Sequence, residues 1–179
     1  MSGPAAVPPA GGTPYRIGIV CLGNICRSPM AEMVLSRMVD DAGLGDLVEV
    51  TSAGTGDWHV GEPIDERAGA ALREAGYDPS RHRARQLDSG WFDRDLLLAM
   101  DATNLADVQA MARGRAALDP DPSAGSGHRR VRMFRDFDPE GPGDVPDPWY
   151  GGPEGFDRAL EMVERTSRAL VVALEDALR

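Results

Sequence analysis

Tyr15-Arg16-Ile17-Gly18-Ile19-Val20-Cys21-Leu22-Gly23-Asn24-Ile25-Cys26-Arg27-Ser28-Pro29 is the stretch on which the fold turns. Residues 15–21 form a short run rich in β-branched side chains and read as a strand. Leu22 to Arg27 reads as a tight loop. Ser28-Pro29 then opens a helix, because Ser is a good N-cap and Pro suits the first helical position. Met30, Met33, Val34 and Met38 recur at helical spacing, and Gly43 supplies a stop.

Working outward, the same strand-then-helix pattern recurs. Residues 47–51 read as a second strand, residues 52–56 as a flexible loop, and residues 65–75 as a helix closed by Gly76. The apolar run at 96–100 suits a strand buried on both faces. Residues 104–113 read as a helix, 120–127 as an exposed loop, 131–134 as a last strand, 138–152 as a long loop and 156–178 as the longest helix. Alternating strands and helices predict a single α/β domain with a four-stranded parallel sheet and helices on both faces. In such sheets ligands bind at the carboxyl ends of strands, where Cys21 stands. Residues 1–14, rich in Gly, Pro and Ala, read as a flexible N-terminal tail, which leaves 15–179 as the domain.

Composition narrows the function. The chain has 179 residues, enough for one core, and a net charge of −10. That charge argues against nucleic acid and against an anionic membrane surface as partners. Cys21 and Cys26 are the two cysteines, too few for a disulfide scaffold or a four-cysteine zinc site. There is no basic n-region at the start and no apolar stretch of membrane-spanning length, so a cytoplasmic protein is expected unless a route that needs no signal peptide exports it. Every basic side chain is Arg, which reads as a coding bias.

Cys21 to Arg27 has the form Cys-x5-Arg. A loop feeding a helix start aims backbone N–H groups and the positive end of the helix dipole at one spot, an anion cradle. The amides of Leu22, Gly23, Asn24, Ile25 and Cys26 would line it. Arg27 would clamp two phosphate oxygens. Asn24 is among the few residues that tolerate a left-handed conformation. The same dipoles would favour a Cys21 thiolate and make it nucleophilic, with the Ser28 hydroxyl bonded to sulfur. Cys26 has two readings. It is a partner that traps oxidised Cys21 as a reversible disulfide, or a small buried apolar residue. A dinucleotide-binding loop fails, because Gly23 lacks its companion glycines. The basic run Arg129, Arg130, Arg132 and Arg135 reads as a solvated or ion-paired face.

The stretch from Val20 to Pro29 resembles the signature loop of the low-molecular-weight protein tyrosine phosphatases, including the second cysteine and the Ser-Pro step. The resemblance extends from about residue 15 to residue 178. Ser52-Ala53-Gly54-Thr55, His82 with Ala84-Arg85-Gln86-Leu87, Met100-Asp101 with Asn104-Leu105, and Asp147-Pro148-Trp149-Tyr150 follow in the family's order. The resemblance implies a phosphotyrosine phosphatase I-like, Rossmann-like fold. It implies a phosphoric monoester hydrolase acting on phosphotyrosine through a phosphocysteine, with no cofactor and no metal. Cys21 would be the nucleophile, Arg27 the phosphate clamp and Asp147 the general acid and base. Asn24, Ser28, Ser52 and His82 would hold the loop in shape. Trp58, Trp149 and Tyr150 would line the entrance.

Asp136, Asp138 and Asp144 lie close enough in sequence to rival Asp147. The resemblance favours Asp147. His59 reads equally as a substrate contact or a surface histidine. The expected partners are tyrosine-phosphorylated proteins and phosphate-like oxyanions, met by a monomer. Two other functions compete. A thiol-dependent arsenate reductase shares this loop but relays its disulfide to cysteines beyond it, which this chain lacks, so that reading requires an external thiol of the glutathione or mycothiol type in their place. A non-catalytic phosphate-binding signalling module would have lost Cys21, Arg27 or Asp147, and all three are present.

Overall fold

Alternation within two apolar strands sets the layers. The computed structural model describes residues 5–118 and 130–179. β1 (Tyr15–Cys21) sends Tyr15, Ile17, Ile19 and Cys21 into one core and Val20 into another. Successive side chains of a strand point to opposite faces, so both faces of this strand need cover. A second strand, Leu96–Ala99, divides in the same way, with Leu96 and Leu98 on the first face and Leu97 on the second. Strands apolar on both faces belong in the middle of a sheet. Numbering β2 (Val48–Gly54), β3 (Leu96–Ala99) and β4 (Val131–Met133), the order is β2-β1-β3-β4 and every pairing is parallel. The expected four-stranded parallel α/β sheet is therefore present.

The helices fill the two faces. α1 (Arg27–Asp41) connects β1 to β2, and α2 (Glu66–Glu74) lies between β2 and β3. α3 (Ala102–Leu118) follows β3, and α4 (Pro153–Leu178) ends the chain. Met30, Val34 and Leu35 of α1, Leu72 of α2, and Phe156, Val163, Leu170 and Leu174 of α4 bury against the Ile17–Ile19 face. On the other face Val108 of α3 meets Trp91 of a 3-10 turn at Ser89–Asp93. Gly18 makes that second layer close: a Cβ there would sit 2.7 Å from Leu97 Cδ2 and 3.0 Å from the Trp91 ring.

The chain runs from β1 outward to β2 and then back across to β3. The strand order therefore reverses between β1 and β3, where the connections diverge and leave a crevice at the carboxyl ends. Cys21 closes β1 at this crevice, and Met100-Asp101 follows β3.

The structure moves several boundaries. Residues 52–54, expected in a loop, complete β2 and pair with Ile19, Val20 and Cys21. Backbone pairing decides this, and Gly54 permits it: a Cβ there would lie 2.6 Å from the Leu22 carbonyl oxygen. α3 begins at Ala102, where the Asp101 carboxylate accepts the Asn104 N–H at 2.7 Å as a cap. β4 ends at Met133 and gives way to a 3-10 turn at Phe134–Phe137. The loop read at 138–152 contains a further 3-10 turn at Pro148–Tyr150. The loop read at 120–127 and Arg129 lie outside the described residues, as do residues 1–4 of the N-terminal segment. The described part of that segment lies against the domain. Tyr15 donates its hydroxyl to the Pro8 carbonyl at 2.9 Å, and the Gly11 N–H donates to Asp95 at 2.7 Å. Ala5 and Val7 pack on the core.

Asp138 ties the segment after β4 to α4. Its buried carboxylate accepts two bonds from Arg165, both 2.8 Å, one from Arg135 at 2.9 Å and the Glu140 N–H at 2.9 Å. Hydrogen bonds from Arg165, together with Glu140 and Arg135, outweigh burial and hold this carboxyl well below the usual carboxylate range. A carboxyl lowered in the folded state contributes stability above its unfolded pKa, and that contribution is lost as pH falls toward the folded value. Asp138→Asn is therefore expected to destabilise the fold at neutral pH by about 2 kcal/mol, because the half-buried Arg135 and Arg165 lose charge-assisted bonds to a shared carboxylate. In thermal melts the gap to the parent should narrow steadily below about pH 4. A gap independent of pH would contradict this account.

Candidate active site

The turn from β1 into α1 is shaped by Asn24, whose φ is 57°. Asn is one of the residues that occupy this region at low cost. Its side chain then works as a central bracket. Nδ2 donates to Ser28 Oγ at 2.8 Å and to Ser52 Oγ at 2.9 Å, and Oδ1 accepts the Arg85 N–H at 3.0 Å. The Asn24 carbonyl accepts from His82 Nε2 at 2.7 Å. His82 is buried and its other ring nitrogen lies 3.7 Å from the Glu32 carboxylate. Thus α1, the end of β2 and the 82–87 stretch all grip one residue of the loop. The Thr55 and Gly56 N–H groups add bonds to the Cys21 and Leu22 carbonyls, both 2.9 Å.

Inside this bracket lies Cys21. Its Sγ is 2.9 Å from Ser28 Oγ and receives the Asn24 N–H at 3.3 Å. α1 begins at Arg27 with Cys26, rather than the expected Ser28, at its cap position and no side-chain cap, and uncapped helical N–H groups are an arrangement an anion fits. Cys26 is buried with a free thiol. Burial, and beyond it the nearby Asp65 and Cys21, pushes that thiol far up.

Arg27 is almost fully buried, and its planar head is fixed from the far side. Nη1 donates to Asp101 Oδ2 at 2.7 Å and to the Val145 carbonyl at 3.1 Å. Nη2 reaches 3.6 Å from Asp147 Oδ2. Burial works against this charge, but the bond to Asp101 and the neighbouring Cys21 and Asp147 outweigh it and hold the guanidinium above its ordinary value.

Cys21, Leu22, Gly23, Ile25, Cys26 and Arg27 floor a cleft of about 210 Å³, walled by Trp58, His59, Asp147, Trp149 and Tyr150. Trp58 is 67% exposed and Tyr150 is 92% exposed, so these rings stand in solvent at the rim. His59 touches the rim too: its ring lies 6.2 Å from that of Trp149 and bonds Glu62 at 2.7 Å. Cys21, Arg27, Asp147, Trp58, Trp149 and Tyr150 thus line the cleft, and Asn24, Ser28, Ser52 and His82 form the bonded bracket around Cys21.

The rival carboxylates are held elsewhere. Asp138 is committed to Arg165 and Arg135. Asp136 accepts the Met133 N–H at 3.2 Å, and Asp144 accepts the Ala102 N–H at 3.0 Å. Asp147 lines the cleft, with Oδ1 accepting the Trp149 N–H at 3.1 Å. Two residues had no role from the sequence: Asp101, which anchors Arg27, and Arg67, which lies behind Trp149. Asp101 carried a signal, since it directly follows the buried run of β3. Arg67 carried none.

A family model described as low molecular weight phosphotyrosine protein phosphatase matches residues 16–179. The chain is 47% identical over 166 residues to a low molecular weight protein-tyrosine-phosphatase of Streptomyces coelicolor, covering 90% of this chain and 94% of that one. It is 42% identical over 154 residues to low molecular weight protein-tyrosine phosphatase A of Mycobacterium tuberculosis, covering 84% and 86%. Among solved structures, YfkJ of Bacillus subtilis superposes with a TM-score of 0.81 at 28% identity, covering 95% of this chain and all (100%) of that one. A protein tyrosine phosphatase of Entamoeba histolytica, solved with Hepes in its active site, gives 0.78 at 31% identity, covering 90% and 97%. With a match that runs from β1 to the end of α4 and takes in the whole cleft, the chain belongs to the low molecular weight phosphotyrosine protein phosphatase family.

Proposed function

We propose that this chain hydrolyses phosphotyrosine in proteins, and small aryl phosphates, through a phosphocysteine. The observation that carries the reading is the convergence of Cys21, Arg27 and Asp147 on one cleft, with donors aimed at the sulfur and a carboxylate beside the guanidinium.

The Cys21 thiolate attacks phosphorus in line with the phenolic oxygen. The loop amides and the free edge of Arg27 stabilise the equatorial oxygens as charge spreads over them. The P–O bond to the tyrosyl oxygen breaks as the S–P bond forms, and Asp147 gives its proton to that oxygen. Water then attacks the phosphocysteine. Asp147, now a carboxylate, takes a proton from it, the S–P bond breaks and phosphate leaves. Trp58, Trp149 and Tyr150 flank the phenyl ring. Asn24, Ser28, Ser52 and His82 keep the loop shaped for the phosphoryl group. When peroxide oxidises the Cys21 thiolate to a sulfenic acid, leaving hydroxide, the Cys26 thiol displaces the sulfenic oxygen as water and closes a Cys21–Cys26 disulfide. In this reading the enzyme acts as a monomer in cytoplasmic signalling. Among the described residues no helix is long and apolar enough to cross a membrane.

Metal-free hydrolysis of an aryl phosphate, blocked by vanadate and absent with phosphoserine, is the expected result. Asp147→Asn should lower kcat/KM for phosphotyrosine, which reports the first displacement, by about 10²- to 10⁴-fold, the range for a lost proton donor. It should lower it far less for a phenol that leaves easily. Equal losses on both would remove Asp147 from the acid role.

A further inference from the structure

We infer that Arg67, on the surface of α2, is a positioning residue for the proton donor; the inference rests on the acid role proposed for Asp147. Its guanidinium lies between two rings, 4.9 Å from the centroid of Trp149 and 4.8 Å from that of Phe156. Nη1 donates to the Trp149 carbonyl at 3.0 Å. The rest of the fork grips Asp65, with Nε and Nη2 each 3.3 Å from a carboxylate oxygen. Asp65 is itself fixed twice. Its carboxylate caps α2 through the Arg67 and Ala68 N–H groups, at 2.9 and 3.3 Å. Its own N–H donates to the Ile25 carbonyl of the phosphate loop at 2.8 Å.

The consequence lies in what Trp149 holds. Its N–H is bonded to Asp147 Oδ1, and its carbonyl is bonded to Arg67. One residue therefore orients the carboxylate on one side and is fastened to α2 on the other. The path from loop to Asp65 to Arg67 to Trp149 to Asp147 sets the height of the carboxyl above the cleft without passing through Arg27. Arg suits the place because a planar head can stack on rings and donate at its edges together. The Arg67 side chain stands 42% exposed in its pair with Asp65, and an ion pair open to solvent on one side adds little stability, so the contact is better explained by geometry than by folding energy.

Misplacing a reacting group by about 1 Å costs up to about 100-fold. Arg67→Ala is expected to lower kcat/KM for phosphotyrosine by about 10- to 100-fold, with little change in kcat/KM for an easily leaving phenol. Inhibition by inorganic phosphate should stay at the parent value, since the cradle is untouched. Arg67→Met keeps the stem and should behave alike where Arg67→Ala lowers Tm. In an Asp147→Asn background the Arg67 substitutions should add nothing further. Equal losses on all leaving groups, weakened phosphate inhibition in parallel, or a multiplicative loss in the double variant would overturn the inference. If Asp147→Asn is selective for poor leaving groups and the Arg67 variants are not, the inference alone falls. If Asp147→Asn is itself unselective, the acid role falls and the inference with it.

Discussion

Cys21→Ser removes phosphotyrosine turnover, by on the order of 10⁴-fold or more, as expected when an attacking atom of a covalent mechanism is lost. A serine hydroxyl at this place is a poor nucleophile without a base to take its proton. The nearest group is another hydroxyl, that of Ser28 at 2.9 Å from the sulfur. The phosphate cradle should survive the change. Asn24 is held by Ser28, Ser52, His82 and Arg85, and Arg27 by Asp101 and the Val145 carbonyl. None of these bonds involves the sulfur. Cys21→Ser is thus expected to bind phosphate or vanadate near the parent affinity, as measured by calorimetry, while its turnover is lost. Retained turnover would contradict the mechanism. Loss of phosphate binding together with turnover would show that the sulfur shapes the loop as well as attacking.

Arg27→Lys should be nearly as damaging, about 10³-fold in kcat/KM, the cost of removing a charged donor from a preorganised oxyanion site. The substitution keeps the charge, so the loss isolates geometry. One edge of the guanidinium is committed to Asp101 and Val145. The other edge faces the cleft and Asp147. A fork can hold the wall and the substrate at once, whereas an ammonium is a point donor that must choose. Here, unlike Cys21→Ser, phosphate inhibition should weaken along with turnover. Activity within a few-fold of the parent would show that charge alone suffices.

The contrast between these residues and Asp101 or Arg67 shows what was legible in the sequence. Cys21, Asn24, Arg27 and Ser28 lie within one contiguous turn. Local chemistry alone carries their meaning: a strand, a left-handed asparagine and a helix start. Ser52, His82 and Asp147 come from distant segments, and only the family resemblance drew them to the loop. Asp101 meets Arg27 because β3 neighbours β1, which is a fact of strand order and not of spacing. Arg67 looks like any surface arginine of an amphipathic helix, and its meaning depends on where the Trp149 carbonyl ends up. The rival aspartates show the same limit. Asp136, Asp138 and Asp144 share the polar setting of Asp147 in sequence, and their hydrogen-bond partners separate them only once the chain is folded. The boundary at 52–54 was missed because small residues read as a flexible loop, whereas here they allow close backbone pairing beside Leu22.

The most direct test of the account is to catch the covalent intermediate. The Asp147→Asn variant, whose second displacement lacks its base, should be mixed with an aryl phosphate bearing an easily leaving phenol, quenched in acid within the first turnover, and analysed by peptide mass spectrometry. A phosphoryl group is expected on the peptide that carries Cys21, assigned to its sulfur, formed as the phenol is released and absent when Cys21→Ser is introduced as well. Release of phenol with no phosphopeptide, or a phosphoryl group carried by any other residue, would contradict it.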